Sequence, residues 1–219
     1  MAKTDFTNIG RFCGSSSMQS VKRKIVKKIS EHYLYNAGLH YLQRYASSIE
    51  NFRRIMDRKI IRSCTVHENQ NIEDCRHKLE NVIARFVELG YLNDYEYARI
   101  KIRFYRGKGF SYVKIINALA QKGISKDLAE NIINNLDSDV CSQNMDIEKK
   151  SFDPELAAAL KLCRRKKIGI FSQKEDKNMQ KDLAYLARNG FSYDISRKVL
   201  EISGENACDI LENTGIFKG

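Results

Sequence analysis

The chain has 219 residues, 42% of them hydrophobic, with 38 basic and 27 acidic residues and a net charge of +11. That is enough apolar material for one or two ordinary domains or a string of small helical units. The basic excess points to nucleic acid, an anionic membrane face or an acidic protein groove. One proline, Pro154, and 12 glycines among many Lys, Glu, Leu, Ile and Ala predict a mostly helical protein, and no long run alternates apolar with polar residues as a half-buried strand would. No apolar run approaches the roughly 18 residues of a membrane span. The six cysteines form no CxxC pair and residues 1–11 lack an apolar leader core, so a cytoplasmic protein with free thiols is expected.

In chain order, residues 1–30 read as a flexible basic arm, with Gly14-Ser15-Ser16-Ser17 ahead of a basic run from Val21 to Lys28. A first helix is expected from Tyr33 to Tyr45. Ser47 or Ser48 can cap a second, where Ile49, Phe52, Met56 and Ile60 form an inward stripe and Arg54, Arg58 and Arg62 lie opposite. A polar link, Glu68 to Asp74, leads to a helix marked by Leu79, Val82, Ile83, Phe86 and Val87 and ended by Gly90. Asn93 caps the fourth helix, with Glu96 in the capping-box position. Ala98, Ile102 and Tyr105 face inward there, and Arg99, Arg103 and Arg106 share one face at i, i+4 and i+7. Ser111 and Ser125 cap the next two helices, separated by Gly123.

Asp137 to Ser151 reads as a linker. Asp153-Pro154-Glu155 starts a seventh helix with proline at its first position, and Gly169 is expected to end it. An eighth is expected from about Lys174 to Arg188, and Ser192 caps a ninth carrying Ile195, Val199, Leu200 and Ile202. The expected architecture is all-α, with nine helices in tandem three-helix, helix-turn-helix-like repeats: 31–92, 93–137 and 153–204, with 138–152 as linker and 205–219 as tail. A short internal echo joins Lys108-Gly109-Phe110-Ser111-Tyr112 and Asn189-Gly190-Phe191-Ser192-Tyr193.

No catalytic constellation, cofactor motif or metal site is expected. Arg106-Gly107-Lys108-Gly109 follows a helix, whereas a phosphate loop follows a strand and ends in GK[ST]. Cys64, His67, Cys75 and His77 lack finger spacing and read as ordinary thiols and imidazoles. Asp94 and Glu96 read as helix-capping acids. The informative signal is the recurrence of basic clusters, one per helical group. They are Arg53, Arg54, Arg58, Lys59 and Arg62; Arg99, Lys101, Arg103, Arg106 and Lys108; and Lys161, Arg164, Arg165, Lys166 and Lys167. In the first two groups the arginines are phased away from the apolar stripe, which predicts an anionic partner.

Tyr41-Leu42-Gln43-Arg44, Ala46-Ser47-Ser48 with Asn51-Phe52-Arg53-Arg54 and Arg58-Lys59, Gly90-Tyr91-Leu92-Asn93-Asp94 with Tyr97-Ala98, Arg106-Gly107-Lys108-Gly109, and Leu119-Ala120-Gln121-Lys122-Gly123-Ile124 together resemble the RecX regulatory proteins, which modulate the RecA recombinase. The resemblance covers Tyr33 to Leu136 well and the last third more loosely; the basic arm is not a hallmark of the family. It implies an elongated, curved array of three-helix units. It also implies a monomer, without catalytic activity, that lies in the groove of the RecA–single-stranded DNA filament and inhibits filament growth, ATP hydrolysis and strand exchange, with duplex DNA a weaker ligand. The expected contacts are Arg53, Arg54, Arg58, Lys59, Arg62, Arg99, Arg103, Arg106, Lys108 and Arg164, Arg165, Lys166 and Lys167. The rival expectation is a helix-turn-helix transcriptional regulator that reads duplex DNA.

Overall fold

The computed structural model describes residues 26–143, 153–173 and 178–213, with side chains of the helix that ends at Gln143 described through residue 138. The arm before residue 26, the remainder of the expected linker (144–152), residues 174–177 and the last six residues lie outside these. Among the described residues there are ten α-helices and no strands: α1 Glu31–Leu42, α2 Ile49–Val66, α3 Ile72–Glu88, α4 Asp94–Gly107, α5 Tyr112–Ala120, α6 Lys126–Gln143, α7 Pro154–Lys166, α8 Met179–Arg188, α9 Tyr193–Glu201 and α10 Gly204–Asn213. A 3-10 turn, Gly169–Phe171, follows α7.

Each helix starts where local chemistry satisfies its first free N–H groups. Ser48, Asn93, Ser111, Asp153 and Ser192 accept hydrogen bonds from the first turns of α2, α4, α5, α7 and α9. The apolar stripes then bury in three successive cores. Leu34, Phe52, Met56, Ile60, Leu79 and Phe86 fill the first, from α1–α3. Ala98, Ile102, Ile115, Leu119, Ile132 and Ile133 fill the second, from α4–α6. Leu160, Leu162, Cys163, Leu186, Phe191, Val199 and Ala207 fill the third, from α7–α10. In the first core Gly38 lets α1 approach the others: a Cβ there would sit 2.6 Å from the Phe86 ring and 2.8 Å from that of Phe52.

Several elements differ from the sequence expectation. α1 starts two residues earlier and stops at Leu42, leaving Tyr45 exposed. α3 begins at Ile72, inside the expected polar link, because Asn71 caps it. α6 continues to Gln143, since nothing in Ser138–Gln143 breaks a helix. The expected tail contains α10, which buries Ala207 in the third core and has Ile210 and Leu211 packed against it. Residues 26–30, expected to belong to the arm, are clipped onto the far end of α2. Ile29 is buried and exchanges two hydrogen bonds with the Gln70 side chain, and Ser63 Oγ donates to Lys27 O at 2.8 Å.

The cores are joined by the same contact set twice. At the first joint the Ser48 hydroxyl donates to Lys122 O and Ile49 N–H donates to Asp94 Oδ1 at 2.8 Å. At the second, Ser111 Oγ donates to Asn189 O at 2.6 Å and Tyr112 N–H donates to Glu155 at 3.0 Å. In both, the start of one group's middle helix is received by an acid opening the next group's first helix and by the carbonyl just before a glycine of positive φ, Gly123 (+78) or Gly190 (+87). A Cβ on Gly123 would collide with Glu50, and one on Gly190 would lie 2.6 Å from Ser111 Oγ. The structural counterpart of Asn189-Gly190-Phe191-Ser192 is therefore Lys122-Gly123-Ile124-Ser125. The Lys108–Tyr112 echo precedes a middle helix and stands elsewhere in its unit.

Candidate partner-binding surface

The predicted contact residues divide by what they touch. Arg53 is tied to Glu80 by two hydrogen bonds, at 2.7 and 2.9 Å, and to Glu50 at 2.6 Å. Arg54 pairs with Glu50 at 3.0 Å and donates to Gln121 O across the first joint. The Arg53 hydrogen bond, more than that of Arg54, holds the Glu50 carboxyl below its ordinary value, while burial opposes it. Arg99 pairs with Glu96 at 2.8 Å. These three remain at the surface, but acids of the chain already engage them.

Arg106 departs most from expectation. It belongs to the predicted exposed stripe, yet only 3% of it is accessible. The i, i+4, i+7 row runs from solvent into the second joint, where Arg106 bridges Asp137 at 2.9 Å and Glu155 at 2.7 Å. Burial raises the Asp137 carboxyl despite the guanidinium beside it. Arg106 Nε and Asp137 Oδ1 are buried without a hydrogen-bond partner among the described residues. A residue so enclosed fastens α4, α6 and α7 together and cannot meet a partner.

Arg58, Lys59 and Arg62 on α2, Arg103 on α4 and Lys108 capping its end, and Arg164, Arg165, Lys166 and Lys167 at the end of α7 are exposed and make no ion pair among the described residues. They occur in all three groups. At the second joint the charge is dense: Lys114 donates to Asn189 Oδ1 at 2.7 Å, and burial, then Arg165 and Lys166, hold its ammonium below the ordinary value. Lys161 is pushed down to about 8 by burial, then by Arg164 and Arg106. Burial is the larger cause at both lysines, and an incoming anion relieves only the share that the neighbouring cations add.

The sequence reading missed apolar groups on this surface. Ile100 and Phe104, at i and i+4 on the outer face of α4, are 58% and 49% exposed. Lys108 and Lys101 place their ammonium groups 4.0 and 5.7 Å from the Phe104 ring centre. The available signal was phase, because both residues fall outside the Ala98–Ile102–Tyr105 row. Cys64 and Cys75 do approach, at 4.0 Å between sulfurs, but His67 reaches the Val26 carbonyl instead. Among the described residues no three His, Cys, Asp or Glu are grouped to hold a metal ion, and no helix is long and apolar enough to cross a membrane.

No protein-family model matches the chain. Individual proteins do. The chain is 32% identical over 178 residues to a protein of Myxococcus xanthus named regulatory protein RecX, covering 80% of this chain and 88% of that one. A protein of the same name from Agrobacterium fabrum is 25% identical over 186 residues, covering 81% and 87%. The crystal structure of RecX from Lactobacillus salivarius matches with a TM-score of 0.50 and 21% identity, covering 83% of this chain and 96% of that one, which supports the fold. The relatives are named as regulatory proteins and not as enzymes. With identity at this level across four-fifths of its length, the chain belongs to the RecX family of regulatory proteins.

Proposed function

We propose that this protein regulates a RecA recombinase by lying in the groove of its filament on single-stranded DNA, inhibiting filament growth, ATP hydrolysis and strand exchange. The observation that carries the reading is the recurrence, in three successive helical groups fastened by like joints, of exposed cations that make no ion pair among the described residues. A filament groove presents acidic protein and phosphate at regular intervals. A protein with one cationic patch per unit gains avidity from several modest contacts at once, provided the joints hold the spacing. Arg58, Lys59, Arg62, Arg103, Lys108 and the cations from Arg164 to Lys167 are the contact residues in this reading. Arg53, Arg54 and Arg99 contribute only by exchanging their present partners. The protein acts as a cytoplasmic monomer, with no catalytic step of its own.

The test is the ATPase of a cognate RecA on single-stranded DNA, with this protein added well below one copy per RecA. Strong inhibition is expected, and reversing Arg58, Arg62, Arg164 and Arg165 to Glu should abolish it while the far-UV helical signal is retained. No inhibition by the folded wild-type protein refutes the proposal. Tight, sequence-dependent binding to a duplex with no effect on the ATPase would instead establish the helix-turn-helix regulator.

A further inference from the structure

Helix α4 turns an unusual face to solvent. From its phase the outer row runs Glu96, Ile100, Arg103, Phe104, Gly107 and Lys108. The acid in that row, Glu96, is held by Arg99. Ile100 and Phe104 are stacked one turn apart, about 6 Å along the axis. Lys101 and Lys108 flank the Phe104 ring from the preceding and following turns, and Arg103 beside it is exposed and makes no ion pair among the described residues. Gly107, having no side chain, leaves the approach to the ring open on that turn. The ring itself is absent from the second core; it meets Tyr105 only in a tilted contact, 5.7 Å between centroids with planes 59° apart, whereas Tyr105 stacks flat on Phe110 at 5.0 Å.

We propose that this face is a site for single-stranded DNA, with Phe104 stacking against a base, Ile100 against the next sugar or base, and Lys101, Arg103 and Lys108 holding the flanking phosphates. The proposal deepens the filament reading and rests on it for its biological setting. Its physical basis is the pairing of one flat apolar surface with several cations within one helical turn, the pattern of sequence-tolerant single-strand binders. Every nucleotide carries a flat face and a phosphate on the same unit. When a base slides onto the ring, the Lys108 ammonium moves from the ring to the adjacent phosphate, exchanging a weak contact for a charged one. A duplex keeps its bases stacked inside and offers nothing to the ring. An acidic peptide satisfies the cations but does not place a flat group beside each charge.

The experiment is fluorescence anisotropy of the full chain with an oligothymidylate of about 15 nucleotides, and with the same backbone carrying abasic sites. Wild type should bind the base-bearing strand about 10-fold more tightly. Phe104→Ala should lose that preference, its abasic affinity unchanged; Phe104→Trp should keep or increase it. Because the ring is half exposed, circular dichroism of Phe104→Ala should match wild type. Arg103→Ala with Lys108→Ala should weaken both strands alike and lower the salt slope by about 1.4. Equal affinity of wild type for the two strands overturns the site, as does unchanged oligothymidylate binding by Phe104→Ala or undetectable single-strand binding by wild type. If wild type inhibits the RecA ATPase while failing to distinguish the strands, the regulatory reading stands and the stacking site falls. If it distinguishes them with no effect on the ATPase, the site stands and the filament reading falls.

Discussion

Replacing Arg106 by Met keeps most of the aliphatic stem and removes the guanidinium that holds Asp137 and Glu155. Removing one member of a buried ion pair costs about 3–5 kcal/mol, because the remaining charge is stranded. The side chains of Asp137 and Glu155 keep 20% and 23% of their surface accessible, so some water reaches them. The lower end, about 3 kcal/mol, applies. That is a large part of the roughly 5–15 kcal/mol that holds a typical domain. With a urea slope of about 2 kcal/mol per molar, the unfolding midpoint should fall by about 1.5 M. The pH dependence follows from the same pair. Burial already raises the Asp137 carboxyl, and losing the guanidinium raises it further. A carboxyl raised in the fold adds stability below its unfolded value, lost as pH rises through the folded one. The deficit should therefore be smaller at about pH 5 than at about pH 7.5. Adding Asp137→Asn and Glu155→Gln to Arg106→Met should restore part of the loss. A midpoint within about 0.3 M of wild type would refute the structural role and return Arg106 to the contact surface.

The joints make their own prediction. Gly90 (φ +73), with nothing within 4 Å of a built Cβ, and Gly123, whose Cβ would strike Glu50, separate backbone strain from closure. Gly90→Ala should lose about 1–2 kcal/mol and Gly123→Ala measurably more, by urea unfolding; equal losses would show that the first joint is loosely packed. Lys161 should make stability rise in alkali: its ammonium is depressed to about 8 in the fold, so its contribution is present above its unfolded value of 10.5 and is lost as pH falls toward 8. Urea midpoints should climb between those limits for wild type and stay flatter for Lys161→Met. Cys163 is buried, its thiol pushed up to about 12, whereas Cys208 is exposed. Peptide mapping after brief maleimide treatment should find Cys208 labelled and Cys163 unmodified; prompt labelling of Cys163 would show that the third core opens.

Much of the fold is legible in the sequence because its signals are local. Asn93, Ser111, Asp153 and Ser192 cap helices where their residue types predict, since a cap needs only N–H groups two or three residues on. Phe52, Met56 and Ile60 bury as their spacing requires. α10 is harder to see because Ala207 is buried in the third core, partly against the distant α7. The fate of Arg106 depends on partners 31 and 49 residues away, beyond any window of periodicity. The exposed pair Ile100 and Phe104 was visible as a break in phase, but hydrophobicity invites a core assignment unless its face is followed turn by turn.

Position within the array also decides what a cation does. Arg106 stands 13 residues after the cap Asn93, and Lys166 stands 13 after the cap Asp153, the first helix of the next group. Counted from their caps the two are equivalent, and charge and helical phase cannot separate them. Arg106 is buried because the following group brings Glu155 over it, whereas Lys166 is exposed because among the described residues no acid is brought against it. The same local pattern thus yields a fastening where an acid is brought over it and an exposed cation where, among the described residues, none is. On this argument, a unit joined after α10 with an acid opening its first helix would convert Lys166 from surface charge to joint.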